Sequence, residues 1–150
     1  MIGKSIKQLL RFKKRFSLAN NQTSSSHSSK WTSLYLEADR FMKDELPFLN
    51  SHFDRTDLAT ALNVDVKVLD DMIKENAKMS AKEYIDDYRF NYAIDLMNSK
   101  NLKNIRNVVH LSGFSNSRKF YRLFRQRYKH TPTEYLSNNN PKTNTDYNIE

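Results

Sequence analysis

The sequence predicts an all-α fold: two helix-turn-helix lobes joined by a long linker helix and preceded by a lead-in helix. Three observations carry this expectation. The chain holds only 2 Gly and 3 Pro among 150 residues, so little breaks a helix, and β-branched runs are few. Apolar residues recur at spacings of three and four, the period of a helix that buries one side. The chain also repeats itself. Setting Met72 against Leu123 places Ser80 on Thr131, Glu83 on Glu134 and Tyr84 on Tyr135 at one constant offset, with Leu69 and Phe120 as equivalent core positions.

The elements follow in order. Residues 1–30 read as a basic, Ser/Asn-rich arm, largely disordered. Its first part, Met1–Phe16, spaces Ile2, Ile6, Leu9, Leu10 and Phe12 among six Lys or Arg, a short basic amphipathic stretch. Residues 31–50 form the lead-in segment. Trp31, Leu34, Tyr35, Ala38, Phe41 and Met42 mark one apolar face of a helix that ends at Leu46-Pro47, because the residue before proline avoids the α region.

Residues 54–79 make the first lobe. Asp54 caps a helix with Leu58, Ala59 and Leu62 inward, Asn63 suits a left-handed turn, and Asp65 caps a second helix with Val66, Leu69, Met72 and Ile73 apolar. Residues 80–99 form the linker helix, capped by Ser80. Apolar side chains occupy most of its circumference, and only Asp87, Asn91 and Asp95 make a polar stripe, so it is expected to be buried between two layers.

Residues 104–137 make the second lobe. Asn104 caps a helix with Ile105, Val108 and Val109 inward, and Gly113 serves the turn. Ser115 is the expected cap of the next helix, which sets Phe120, Leu123 and Phe124 against Ser117, Arg118, Tyr121, Arg122 and Arg125. Pro132 opens a last short helix. Residues 138–150 read as a disordered tail.

Charge is unevenly placed. The net charge is +8, but residues 37–95 carry eight bases and fourteen acids, and residues 96–133 carry nine bases and no acid. A local positive field of this kind suits nucleic acid or anionic lipid. The chain has no cysteine, which excludes disulfides, thiolate metal sites and cysteine nucleophiles. His27, His52, His110 and His130 lack metal-ligand spacing, no catalytic triad or carboxylate pair stands out, and there is no Gly-rich phosphate loop. No enzyme, metal, cofactor or small-molecule ligand is expected.

Several spaced motifs then act together: Ile105-x-x-Val108, Gly113-Phe114, Phe120-x-x-x-Phe124 and Thr131-Pro132-x-x-Tyr135, with Tyr84-Ile85-x-x-x-Arg89-Phe90-x-x-Ala93-x-x-Leu96-Met97 before them. Over Asp54–Leu136 the chain resembles the DNA-binding domain of AraC/XylS-type bacterial transcription regulators. The resemblance implies homeodomain-like three-helix units whose recognition helices enter successive major grooves. A linker of about 28 Å, at 1.5 Å per residue, is compatible with grooves about 34 Å apart. The chain departs from the family pattern where glycine usually follows each recognition helix (Ala77 and Lys129 here), at the small residue before the second turn (Val109), and at the proline of the first lobe (Ala81).

The resemblance assigns roles residue by residue. Asn116, Ser117, Arg118, Tyr121 and Arg122 match base-reading positions, with Arg118 and Arg122 one turn apart and able to grip guanine O6 and N7. Lys103, Arg106, Lys119, Arg125 and Arg127 are expected on phosphate. In the first recognition helix the matching positions are Lys67, Asp70 and Asp71. Two adjacent aspartates repel phosphate, so this lobe is expected to make weak or altered DNA contacts or to face a protein. Arg89 is expected to tie the linker to a neighbouring lobe.

The function expected is a sequence-specific regulator that binds double-stranded DNA in the cytoplasm, associated with the nucleoid. The 53 residues before Asp54 are too few for a ligand-sensing domain. RNA polymerase or another regulator is the candidate protein partner, and Met1–Phe16 is a candidate for weak membrane-surface contact. The rival expectation is a helical protein-protein interaction module with weak DNA affinity.

Overall fold

A computed structural model describes residues 26–99 and 104–139 of the chain. Among these, all regular structure is helical: α1 (Ser26–Glu45), a 3-10 turn (Pro47–Leu49), α2 (Arg55–Ala61), α3 (Val66–Ala77), α4 (Ala81–Asn98), α5 (Ile105–Leu111), α6 (Ser117–Tyr128) and α7 (Pro132–Asn139). The chain divides into two compact units within α4, after Arg89. The expectations for the arm and tail at 1–25 and 140–150, and for Lys103, lie outside the described residues.

In the first unit, α1 packs on α3 and on the 3-10 turn, and α2 packs on α3. The predicted apolar face of α1 is buried at Leu34, Ala38, Phe41 and Met42. The helix begins at Ser26, five residues before Trp31 opens that face. Residues 26–30, expected as the end of a linker, are therefore helical. Extending a nucleated helix fixes one residue per hydrogen bond, so a polar lead can follow a packed stretch at little cost. At its other end α1 stops at Glu45. Leu46 turns left-handed at φ 48 and Pro47 opens the 3-10 turn, so the residue before proline does avoid the right-handed α region.

The local chemistry of the first lobe is dense with caps. The Asp54 carboxylate accepts from the amides of Thr56 and Asp57, and the Asp57 carboxylate accepts from the Asp54 amide. Asp65 accepts from the Lys67 amide at 2.8 Å. Asn63 takes φ 55 at the turn. The inward residues Leu58, Ala59, Leu62, Leu69, Met72 and Ile73 are all buried. Arg89 closes this unit. Its Nε donates to the carbonyl of Phe48 at 2.9 Å, and one Nη donates to the carbonyls of Asn50 and Phe53. The linker helix is thereby tied to the loop before α2. The Tyr88 hydroxyl donates to the Asp39 carboxylate of α1, which also accepts from Lys43 at 2.8 Å.

The second unit is built on the far half of α4. Phe90, Ala93 and Met97 join Val108 and Val109 of α5, Phe114 of the turn, and Phe120 and Phe124 of α6 in one core, edged by Ile94, Leu96, Ile105, Leu123, Tyr135 and Leu136. Phe90 lies 5.9 Å from Phe120 and 5.8 Å from Phe124 between ring centroids. Each fully buried aromatic contributes roughly 1.5–3 kcal/mol from area alone. Asn104 caps α5 through the amides of Arg106 and Asn107, and Gly113 takes φ 78.

Three local expectations are corrected here. The cap of α6 is Asn116, not Ser115: its side chain accepts from the Lys119 amide at 3.0 Å. The turn of the second lobe therefore carries one residue more than that of the first, and the repeat holds a constant offset only from the second helix of each lobe onward. The residue after α3 that takes the left-handed conformation is Lys78 (φ 57), not Ala77, which is the last helical residue; its counterpart is Lys129 (φ 62). Finally, α7 runs to Asn139, two residues into the stretch expected to be a tail.

Candidate nucleic-acid interface

Helix α6 is anchored on one side by Phe120 and Phe124, which are fully buried. Its 3.6-residue period then turns Ser117, Arg118, Tyr121, Arg122 and Arg125 outward, and all five are exposed. Arg118 and Arg122 stand one turn apart, and neither forms an ion pair among the described residues. Arg106 is exposed on α5, and Lys119 sits half-buried beside Arg118. Asn116 is exposed just ahead of the helix. Its carbonyl oxygen is engaged by the cap, which leaves its amino group to point elsewhere.

Arg127, also exposed, is placed over an aromatic ring. Its guanidinium carbon lies 4.4 Å from the centroid of the Phe90 ring. The cause is periodicity: nine residues after Arg118 is about half a turn round the helix, which is the core side. There the cation stacks on an aromatic face.

An open groove of about 670 Å³ borders the outward face, lined by Tyr121, Arg122, Arg125, Gln126 and Thr131. Neither Gln126 nor Thr131 has a DNA-contact role assigned from the sequence. Thr131 lies in the following loop, and only the α6–α7 packing brings it beside the helix. Glu134, three residues after Thr131, is held by local bonds. Glu134 accepts from the Thr131 amide at 2.6 Å. That amide, the Thr131 hydroxyl and the neighbouring His130 and Arg125 charges hold its carboxyl below the usual carboxylate range.

The first lobe presents a different surface. Lys67 and Asp71 are exposed, and Asp70 is half-buried. Asp70 Oδ2 lies 2.7 Å from an Nη of Arg55, the first residue of α2. The two adjacent carboxylates read from the sequence are thus not equivalent, since one has a cation of its own. Arg55 carried no sequence signal for this role, because its partner lies fifteen residues on, across the turn.

Among the described residues, no three His, Cys, Asp or Glu side chains gather in a way that could hold a metal ion, and no helix is long and apolar enough to cross a membrane. His52, His110 and His130 are exposed.

Three comparisons bear on this geometry. A family model described as a helix-turn-helix domain matches residues 58–138. An uncharacterised helix-turn-helix-type transcriptional regulator of Escherichia coli (strain K12), YijO, is 29% identical over 85 residues. That match covers 57% of this chain and 30% of the regulator's length. Among solved structures, the C-terminal domain of the two-component response regulator yesN from Fusobacterium nucleatum superposes with a TM-score of 0.57 at 24% identity, over 67% of this chain and 98% of that one. A protein of unknown function from Listeria innocua gives 0.58 at 20% identity, over 69% and 94%. At these identities the structural likeness speaks for the fold.

Proposed function

Because this chain belongs to the AraC-type helix-turn-helix family of DNA-binding transcription regulators, we propose that it reads double-stranded DNA sequence-specifically, mainly through α6. The observation that carries this reading is the exposed Arg118–Arg122 pair, one turn apart on a helix whose other side is anchored in a phenylalanine core. An arginine fork matches guanine O6 and N7 in the major groove, worth about 1–3 kcal/mol of discrimination per pair.

Asn116, Ser117 and Tyr121 are the neighbouring base-reading positions, and Arg106, Lys119 and Arg125 meet phosphate. Lys103 is assigned to phosphate with them on the sequence alone. Phosphate contacts fix register and bring salt dependence, whereas base contacts carry the sequence preference. Arg127 is left out of the contact set because its guanidinium covers Phe90. The cytoplasm, where a bacterial chromosome lies, is the compartment this reading implies. RNA polymerase or a second regulator is the protein partner through which bound DNA would affect transcription.

Selection of binding sites from random duplex DNA at about 100 mM salt tests the proposal. An enriched motif is expected, and no enrichment would sink it. With a motif in hand, Arg122→Ala should relax one base position. Arg106→Ala should weaken all sequences alike and reduce the slope of log affinity against log salt by about 1.

A further inference from the structure

We infer that Met1–Phe16 is a membrane-surface arm. Wound as a helix, it lies in the headgroup layer of an anionic bilayer and tethers the DNA-binding units to it. This is independent of the base-reading roles proposed above.

These residues precede the described part of the structure, and their pattern is read from the sequence. At about 100° per residue, Phe12, Phe16, Leu9, Ile2, Ile6 and Leu10 fall within one arc of about 160°. Lys14, Lys7, Arg11, Lys4 and Arg15 fall within an arc of about 100° on the other side. Lys13 falls among the apolar residues, where its long stem can carry the charge out to the headgroups. No acid occurs before Glu37. An apolar arc set against a cluster of lysines and arginines is the pattern of a helix that lies in an interface, with its apolar side toward the acyl chains and its bases among the phosphates. Such a helix is about 24 Å long. It is too short and too charged to span a hydrocarbon core of about 30 Å.

The folded body narrows the choice of what covers the apolar arc. The apolar face of α1 is already filled, with Leu34, Ala38, Phe41 and Met42 buried. Among the described residues of the first unit, into which the arm leads, the exposed large hydrophobics are Leu36, Leu46 and Val68. They belong to α1, to the turn after it and to α3. Leu36 faces away from the buried Leu34 and Ala38, two residues to either side. Single apolar side chains of this kind are ordinary surface. They do not make a groove that could take six large apolar residues.

DNA is the other anion that the bases could meet. A nucleic-acid arm needs only its charges, and has no use for large apolar side chains sorted to one side. That sorting favours lipid. Residues 17–25 then set the tether, since nine residues reach at most about 30 Å. A bound arm keeps the start of α1 at Ser26 within that distance of the headgroups.

The test is flotation of the full chain with vesicles of phosphatidylcholine and phosphatidylglycerol in equal parts, and with vesicles of phosphatidylcholine alone. Duplex DNA binding is measured beside it without lipid. The wild type should float with the anionic vesicles and far less with the neutral ones, and its helical circular dichroism should rise when the anionic vesicles are added. Ile6→Gln with Leu9→Gln keeps every charge and should lower partitioning roughly tenfold per residue. Lys4→Gln with Lys7→Gln should lower it roughly fivefold per base. Neither pair touches the described core, so both should unfold thermally as the wild type does. Arg118→Ala with Arg122→Ala should leave flotation unchanged, which separates the arm from the basic face of α6. Loss of flotation in the Ile6 and Leu9 variant, with duplex binding retained, supports the inference. A wild type that does not float, or an Ile6 and Leu9 variant that floats as well as the wild type, overturns it. So does loss of flotation in the Arg118 and Arg122 variant, which would assign lipid binding to α6. If the wild type stays off the vesicles while Lys4→Gln with Lys7→Gln weakens duplex binding, the arm is a DNA contact and the inference is likewise overturned.

Discussion

Arg89 Nε donates to the backbone carbonyl of Phe48 at 2.9 Å, from a side chain that is only 7% exposed. The same guanidinium reaches the carbonyls of Asn50 and Phe53 and lies 3.5 Å from the Asp86 carboxylate. Four acceptors thus depend on one planar cation. Removing it breaks a buried ion pair and takes a donor from each carbonyl, so Arg89→Ala should cost about 3–5 kcal/mol of the first unit's stability. Arg89→Lys should recover only part, because a single ammonium cannot match the fork. Urea unfolding followed by the fluorescence of Trp31, the single tryptophan, reports it. A loss under about 1 kcal/mol for Arg89→Ala would show that water replaces the fork.

The acid side of the pH dependence of stability is set by hydrogen-bonded carboxylates. Burial raises the Asp39 pKa, but hydrogen bonds from Lys43 and Tyr88 outweigh it and hold the carboxyl below its ordinary value. The Ser80 amide and hydroxyl do the same for Glu83, and those of Thr131 for Glu134. A carboxyl with a depressed pKa in the folded state stabilises the fold above its unfolded pKa, and that contribution is lost as pH falls through the folded value. Stability should therefore be flat between about pH 5.5 and about pH 8.5 and fall below about pH 4.3. It should fall again above about pH 10, where burial of Tyr84 and Tyr88 holds their hydroxyls protonated only in the folded state. Glu83→Gln and Glu134→Gln should each lower neutral-pH stability and flatten the acid limb. An acid limb that is unchanged in both variants would assign it to other groups.

Lys78 and Lys129 end their helices at φ 57 and φ 62, where a side chain crowds the backbone and glycine does not. Lys78→Gly and Lys129→Gly should each raise stability by roughly 0.5–1 kcal/mol, after allowing for the looser unfolded chain. Lys129 also donates from Nζ to the Gln126 carbonyl at 3.0 Å, so its gain should be the smaller. Thermal unfolding measures both. A loss at either site would mean that the positive charge at the helix end outweighs the backbone cost.

Arg125 and Arg127 are two residues apart and should behave oppositely. Arg125 is exposed beside the open groove, and Arg127 covers Phe90. Arg125→Ala should reduce the salt slope of DNA binding by about 1 and leave stability nearly unchanged. Arg127→Ala should cost about 0.5–1 kcal/mol of stability and leave the slope alone. Equal slope losses would place both side chains on phosphate.

The elements were readable because their signals are local. Asp54, Asp65 and Asn104 mark helix starts by a side-chain acceptor next to free backbone amides. Asn63 and Gly113 mark turns by their tolerance of positive φ. The spacing of Leu69, Met72 and Ile73, and of Phe120, Leu123 and Phe124, marks the inward faces, and so the outward exposure of Arg118, Tyr121 and Arg122. The cap at Asn116 was missed by one residue because Ser115 and Asn116 are both good caps. Only the geometry of the longer turn chooses between them. The helical start at Ser26 was missed because it has no apolar stripe to announce it.

What the sequence determined by itself is the succession of helices, their two-fold repeat and the sides they bury, since these depend on neighbours within a turn or two. What only the tertiary structure decided is where side chains meet across the chain. Arg55 neutralises Asp70, Arg89 gathers three carbonyls from a loop about forty residues before it, and Arg127 folds back over Phe90. Each depends on a distance between helices that no local pattern encodes. For Asp70 and Arg127 it supplies a partner that a residue-by-residue reading does not show.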